Sequence, residues 1–147
     1  MAISYIGSTL SVIASTPSTV DQSGYEALSM TTVGKVTTIG ELGATSEDLT
    51  INLLAAGATK HVNGTKDMGE IPVSIEFDAS DGGLTILEAG NNTNTVHSFK
   101  VTDSDGEDTF FQGLIANLRD PERSSGAIKM KNFVIRGDAS SIVVVDA

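Results

Sequence analysis

The chain has 147 residues, with 9 basic and 19 acidic side chains and a formal net charge of −10; it holds no cysteine, no tryptophan, two histidines, five Phe and two Tyr. One domain is the natural count at this length, and the missing thiols exclude disulfides, thiolate metal sites and a cysteine nucleophile. With only His61 and His97, far apart, histidine-based catalysis or metal binding is short of candidates, and the acidic balance argues against a nucleic-acid binder that draws its affinity from Lys and Arg.

No apolar run approaches a membrane span; Ile142-Val143-Val144-Val145 is among the longest. Met1-Ala2-Ile3-Ser4 has no basic n-region, so no secretory signal is expected and the chain reads as soluble, with no membrane partner. Val, Ile and Thr supply 40 residues against 10 Leu. β-Branched side chains lose rotamer freedom in helices and fit pleated surfaces. With 15 glycines spread through the chain, this composition favours an all-β domain over residues 1–147.

In chain order, a first strand is expected at about 5–14, with Leu10, Val12 and Ala14 on one face. Residues 15–27 are polar and read as a flexible arm. Residues 28–39 read as one extended strand with a possible bulge at Gly34. A long loop spans 40–48, a short strand carries Leu49, Ile51 and Leu53, and a second long loop spans 57–69. The clearest strand follows, with Ile71, Val73, Ile75 and Phe77 on one face and Glu70, Pro72, Ser74, Glu76 and Asp78 on the other. Pro72 favours an edge or a strand start. A helix at about 81–89 is expected to begin at Ser80 and to end at Gly90 and Asn91-Asn92. His97, Phe99 and Val101 then alternate into Asp103-Ser104-Asp105-Gly106 and back through Phe111, Gly113 and Ile115, a hairpin. A charged loop at 120–126 and two final strands, at 128–136 and 141–145, complete about eight strands and one helix. The fold class is all-β: two packed antiparallel sheets, a sandwich-like barrel flanked by a helix.

Chemical motifs are thin. The 103–106 run lacks a calcium loop's pattern, because its sixth and twelfth positions are Asp108 and Leu114 rather than Gly and Glu. Glu70, Glu76 and Asp78 are too poor in aromatic company for a glycosidase cleft. Asn63-Gly64-Thr65 and Asn91-Asn92-Thr93 match a glycosylation pattern but read as turns. No phosphate-binding glycine loop occurs. Lys60 and Lys66, and Arg119, Arg123, Lys129, Lys131 and Arg136, are the main basic groupings; they read as solvated positions, or as contacts to acidic patches of a neighbouring subunit. No catalytic, cofactor or metal site is expected.

The order of segments is more specific. The arm Thr16-Pro17-Ser18-Thr19-Val20-Asp21-Gln22-Ser23-Gly24-Tyr25 leads into Val33-Gly34-Lys35-Val36-Thr37-Thr38-Ile39-Gly40-Glu41. Asn63-Gly64-Thr65-Lys66-Asp67-Met68-Gly69 follows, then Ser98-Phe99-Lys100-Val101-Thr102 and Thr109-Phe110-Phe111-Gln112-Gly113. This order, from about Tyr5 to Gly137, resembles the major tail tube protein of phages with long, non-contractile tails.

The resemblance implies a structural virion protein, not an enzyme, assembled in the host cytoplasm. Six copies would form a ring, rings would stack, and DNA would pass through the channel as cargo rather than as a bound ligand. The tape-measure protein and the tail terminator and tip proteins would be its partners. No immunoglobulin-like decoration is expected from this polypeptide. An acidic channel wall is expected from Glu70, Glu76 and Asp78, since like charge prevents phosphates from sticking. Contacts between subunits or rings are expected at Thr16, Pro17, Asp21 and Tyr25 of the arm and at Glu47, Asp48, Lys60 and Lys66 of the two loops, the loops becoming ordered on assembly. The alternatives are a type VI secretion-like or contractile-tail inner tube, and a monomeric β-sandwich binding module.

Overall fold

The structure is a computed structural model that describes residues 2–55 and 57–146. The strands are β1 (Thr9–Ile13), β2 (Thr31–Val33), β3 (Val36–Ile39), β4 (Thr45–Leu53), β5 (Ala58–Asp67), β6 (Glu70–Glu76), β7 (His97–Thr102), β8 (Asp108–Arg119), β9 (Met130–Gly137) and β10 (Val143–Val145). Two helices, α1 (Gln22–Glu26) and α2 (Gly82–Thr93), and a 3-10 turn at Ala139–Ser141 complete the chain.

One sheet has the order β2-β1-β7-β8-β9-β6-β3, with β10 also paired to β8. Its two end strands, β2 and β3, are joined by Gly34 and Lys35 alone. Three Cα steps span at most about 11 Å, so the sheet must curl until its edges nearly meet. Residues 31–39 are thus one strand bent at Gly34, close to the expected reading, and each half serves a different edge. Asp81 holds the corner: one carboxylate oxygen accepts from Gly34 N–H (3.0 Å) and the other from Gly83 N–H (3.0 Å) at the start of α2. The sandwich-like barrel with a flanking helix is therefore what the chain forms.

The barrel's inward faces are those the alternation implies, except that Ala14, past the end of β1, is exposed and Phe77, past the end of β6, is half-buried. Leu10 and Val12, Ile71, Val73 and Ile75, Phe99, Phe111, Ile115, Phe133 and Ile135 are buried, with Leu84 and Leu87 of α2. Phe99 and Phe111 face each other across β7 and β8 and stack at 5.4 Å. Pro72 lies in an internal strand rather than at an edge, between β9 and β3. It is tolerated because β3 ends beside it: its carbonyl accepts from Gly40 N–H (2.8 Å), where no further ladder bond is needed.

Helix α2 runs to Thr93, beyond the expected stop. Its cap is Asp81, not Ser80, and Asn94 supplies the left-handed end (φ 55°). Gly90 is a close-approach residue instead: a Cβ there would lie 2.7 Å from Ile115 Cδ1 and 2.8 Å from the His97 ring. That ring is buried and fixed by its Nδ1 against Thr95 O (2.8 Å). Alanine at 90 gains about 1 kcal/mol of helix propensity, but overpacking a fixed ring costs about 1–3 kcal/mol. Gly90→Ala should therefore lower the urea midpoint. Gly82→Ala, which meets only Thr31 Cγ2 at an ordinary 3.7 Å, should raise it or leave it unchanged.

The largest departure from expectation lies at 40–69. The two long loops are not loops: β4 and β5 pair from Thr45↔Asp67 to Leu53↔Ala58, with one irregularity at Ser46/Asp48, as a separate two-stranded sheet. The chain enters it through Gly43 (φ 134°) and leaves it through Gly69 (φ 66°), backbone that favours glycine. Every residue of β4 is exposed, and every residue of β5 except Gly64.

Candidate functional site

No group of three or more His, Asp or Glu residues converges as metal ligands among the described residues, and no helix there is long and apolar enough to cross a membrane. The chemistry on offer is that of surfaces. The β4–β5 hairpin is the most distinctive one, because the register sorts its side chains onto two unlike faces. Leu49, Ile51 and Leu53 share one face with their cross-strand partners Val62, Lys60 and Ala58. Leu49 (45%), Ile51 (51%), Leu53 (43%) and Val62 (41%) are all substantially exposed. The other face is polar and knitted across the strands: Thr59 Oγ1 donates to Asn52 Oδ1 (3.0 Å), and His61 Nδ1 lies 3.1 Å from both carboxylate oxygens of Asp48.

An isolated two-stranded hairpin is marginal in water. One that exposes four large apolar side chains in a stripe is a surface that lacks its cover. Four expected contact residues, Glu47, Asp48, Lys60 and Lys66, fall on this single element rather than on two separate loops. The signal that could have joined them is the alternation Leu49, Ile51, Leu53. What hid the pairing is β5, where Val62 is the only large apolar residue and no period of two is visible.

The arm residues are placed differently. Thr16 and Asp21 are exposed and Pro17 is half-buried. The arm is not free at its ends: Ser98 Oγ donates to Ser15 O (2.7 Å), and α1 docks Tyr25 on the outer face of the barrel. Tyr25 is 1% exposed, stacks on Phe110 at 5.1 Å, donates its hydroxyl to Ser141 O (2.7 Å) and accepts from Gln112 Nε2 (3.3 Å). The expected role of Tyr25 between subunits does not fit, since its side chain is fully used within its own chain. Burial raises its phenol above the ordinary value. Asp21 caps α1, and the Gly24 N–H, with help from Thr19 and Ser23, holds its carboxyl below the usual range.

Glu70 and Glu76 lie on the outward face of β6 as expected; Asp78 follows the strand's end. Their charge is partly compensated. Arg136 Nε lies 3.8 Å from Glu70 and Lys35 Nζ 3.7 Å from Asp78, whereas Glu76 has no such partner among the described residues. Asp78 also accepts from Ser80 Oγ (2.7 Å) and N–H (3.0 Å), and these bonds, more than Lys35, depress its ionisation. Besides Arg136, three residues of the other basic grouping are engaged, among them Arg123, which donates to Asp120 (2.9 Å). Lys131 pairs with Asp120 (2.5 Å), lowering that carboxyl, and Lys129 sits 4.1 Å over the Phe77 ring.

No protein-family model matches the chain, and no curated protein matches its sequence. Solved structures do match. A chain of the sheath–tube complex of the PVC extracellular contractile injection system superposes with a TM-score of 0.66 at 9% identity, over 99% of this chain and 93% of that one. A chain from the structure of the anti-feeding prophage tube-terminating cap gives 0.65 at 10% identity, over 100% and 93%. One from the anti-feeding prophage baseplate gives 0.64 at 6% identity, over 99% and 96%. At such identities the likeness is one of architecture: along its whole length the chain has a tail-tube-like fold, shared with components of phage-like contractile injection particles.

Proposed function

We propose that this chain is a structural tube subunit: six copies close a ring, and rings stack head to tail into a channel. The single observation that carries the reading is the two-faced β4–β5 hairpin, an apolar stripe on an element that forms a separate sheet with no further strand among the described residues. A ring supplies the missing partner, and open stacking uses unlike surfaces on its two sides. The role is structural rather than enzymatic. Its partners are other copies of itself, with terminator and tip proteins at the tube's ends and a tape-measure protein to set its length.

The sequence resemblance favours a long non-contractile phage tail, assembled in the host cytoplasm and passing DNA. A second reading, the inner tube of a contractile particle, is favoured by fold neighbours that cover nearly all of both chains. In either case β6 is assigned to the channel wall, and Glu76, without a paired cation among the described residues, carries most of its negative field. A Glu76→Lys tube should pass DNA less efficiently than the parent; unchanged transit removes the wall assignment.

The test of the reading as a whole is sedimentation and negative-stain microscopy at rising concentration. Rings or tubes of uniform diameter are expected. A species that stays monomeric throughout would instead support a lone binding module. Co-sedimentation with a sheath protein separates the contractile reading from the non-contractile one.

A further inference from the structure

We propose that β4 of one copy docks along the free edge of β3 in a second copy, adding its hairpin to that copy's barrel as two further strands. This rests on the tube-subunit reading and names the surfaces that join.

The acceptor is a groove of about 770 Å³ between β3 and the segment before β1. All of Val36 to Leu42 borders it on one side and Ser4 to Ser8 on the other. Residues on one face of a strand alternate, so a groove bordered by seven consecutive residues runs along the strand's edge. Among the described residues β3 has a ladder partner only on its β6 side, which leaves the groove side as an open strand edge, the usual template for an added strand. The lining is mixed: Tyr5, Ile6, Val36, Ile39, Leu42 and Val101 supply its apolar part, among serines, threonines and two acids. The far wall is preformed: the Ser104 hydroxyl donates to Ser4 O, and Ser8 N–H closes a turn onto Tyr5 O (3.0 Å).

The occupant is argued from charge, length and chemistry together. The groove lining carries two acids, Glu41 and Asp103, and no base. On the hairpin's apolar face, Lys60 is the one charged residue between Leu49 and Val62. At about 3.3 Å per residue, Val36–Leu42 offers roughly 23 Å of edge and Leu49–Leu53 needs roughly 17 Å. Edge pairing would lay Leu49, Ile51 and Leu53 beside Val36 and Ile39 and leave the Asp48–His61 face in solvent. The donor comes from another copy, because within its own chain β4 is paired with β5 in a separate sheet and not with β3.

The natural absence of cysteine makes the test clean. Thr37→Cys combined with Thr50→Cys, and with Asn52→Cys, samples two registers on the exposed face; each single variant is the control. Oxidation of assembled protein should give a ladder of covalent oligomers with at least one pair and only dimers or less with the singles. Tubes that form normally but give no ladder in either register overturn the docking while leaving the tube-subunit reading intact. A protein that never assembles takes both down. A charge swap gives a second arm: Glu41→Lys and Lys60→Glu should each raise the concentration needed for assembly about tenfold, and the double variant should return it to within about threefold of the parent. Equal and additive losses without rescue would count against the pairing.

Discussion

A chain carrying Leu49→Ser, Ile51→Ser and Leu53→Ser together should fold as stably as the parent and fail to assemble where the parent forms tubes. The reasoning separates two kinds of burial. None of the three side chains belongs to the barrel core, so removing them takes nothing from the monomer's interior. Exposed substitutions of this kind move stability by no more than about 0.5 kcal/mol. In an assembled tube the same side chains lose their water. Each is already about half covered, so completing its burial is worth about 1 kcal/mol, and three together about 3 kcal/mol. At 1.4 kcal/mol per tenfold, the concentration needed for assembly should rise by about 100-fold. Urea melts and sedimentation of the same samples check both halves. Serine substitutions at Thr50, Asn52 and Thr59 of the polar face disturb strand propensity comparably but spare the stripe, and should leave assembly within a few-fold of the parent. If both sets abolish assembly alike, the hairpin matters for its shape and not for its apolar face.

The second large effect is at Tyr25. Tyr25→Ala removes a buried ring stacked on Phe110 and should cost about 3–5 kcal/mol. At an m-value near 2 kcal/mol/M, this is a fall in urea midpoint of about 2 M. Tyr25→Phe keeps the stack but leaves Ser141 O and Gln112 Nε2 without the hydroxyl, and should cost about 1–2 kcal/mol. The pH dependence has a definite sign. The folded state holds the phenol neutral and raises its ionisation above 10.0, while the unfolded chain ionises near that value. The stability contributed by Tyr25 is complete below the ordinary tyrosine range and is lost as pH rises above it through the raised folded value. Tyr25→Phe should flatten this alkaline loss; an unchanged alkaline limb would place it on another group.

Legibility in the sequence followed burial. Strand β6 could be read residue by residue because Ile71, Val73 and Ile75 face a core while Glu70, Pro72 and Ser74 do not. The β7–β8 hairpin was equally plain, with Asp103–Gly106 as its turn. β5 was opaque because a strand with solvent on both faces has no reason to alternate. Gly90 looked like a helix stop because a sequence does not reveal that Ile115 and His97 press against that position. Tyr25 looked available for a neighbour because its partners, Phe110, Gln112 and Ser141, lie more than 80 residues away along the chain. Of the candidate site, Glu47, Asp48, Lys60 and Lys66 are expected only as contacts on two separate long loops; their union on one hairpin is a fact of register.

The strand order sets a schedule for synthesis. β1 pairs with β7 through Ser11↔Lys100, some 90 residues apart, so at about 5–20 residues per second it waits roughly 5–20 s for that partner to be made. β6 waits likewise for β9, from Ile71 to Ile135. The β4–β5 pairing is local, and hairpins form in about 1–10 μs. The element suited to joining other copies is thus complete in the nascent chain while the barrel that must receive it is still missing half its strands. On one message carrying several ribosomes, donor strands precede acceptor grooves, so neighbouring nascent chains cannot capture one another until the leading one is nearly finished.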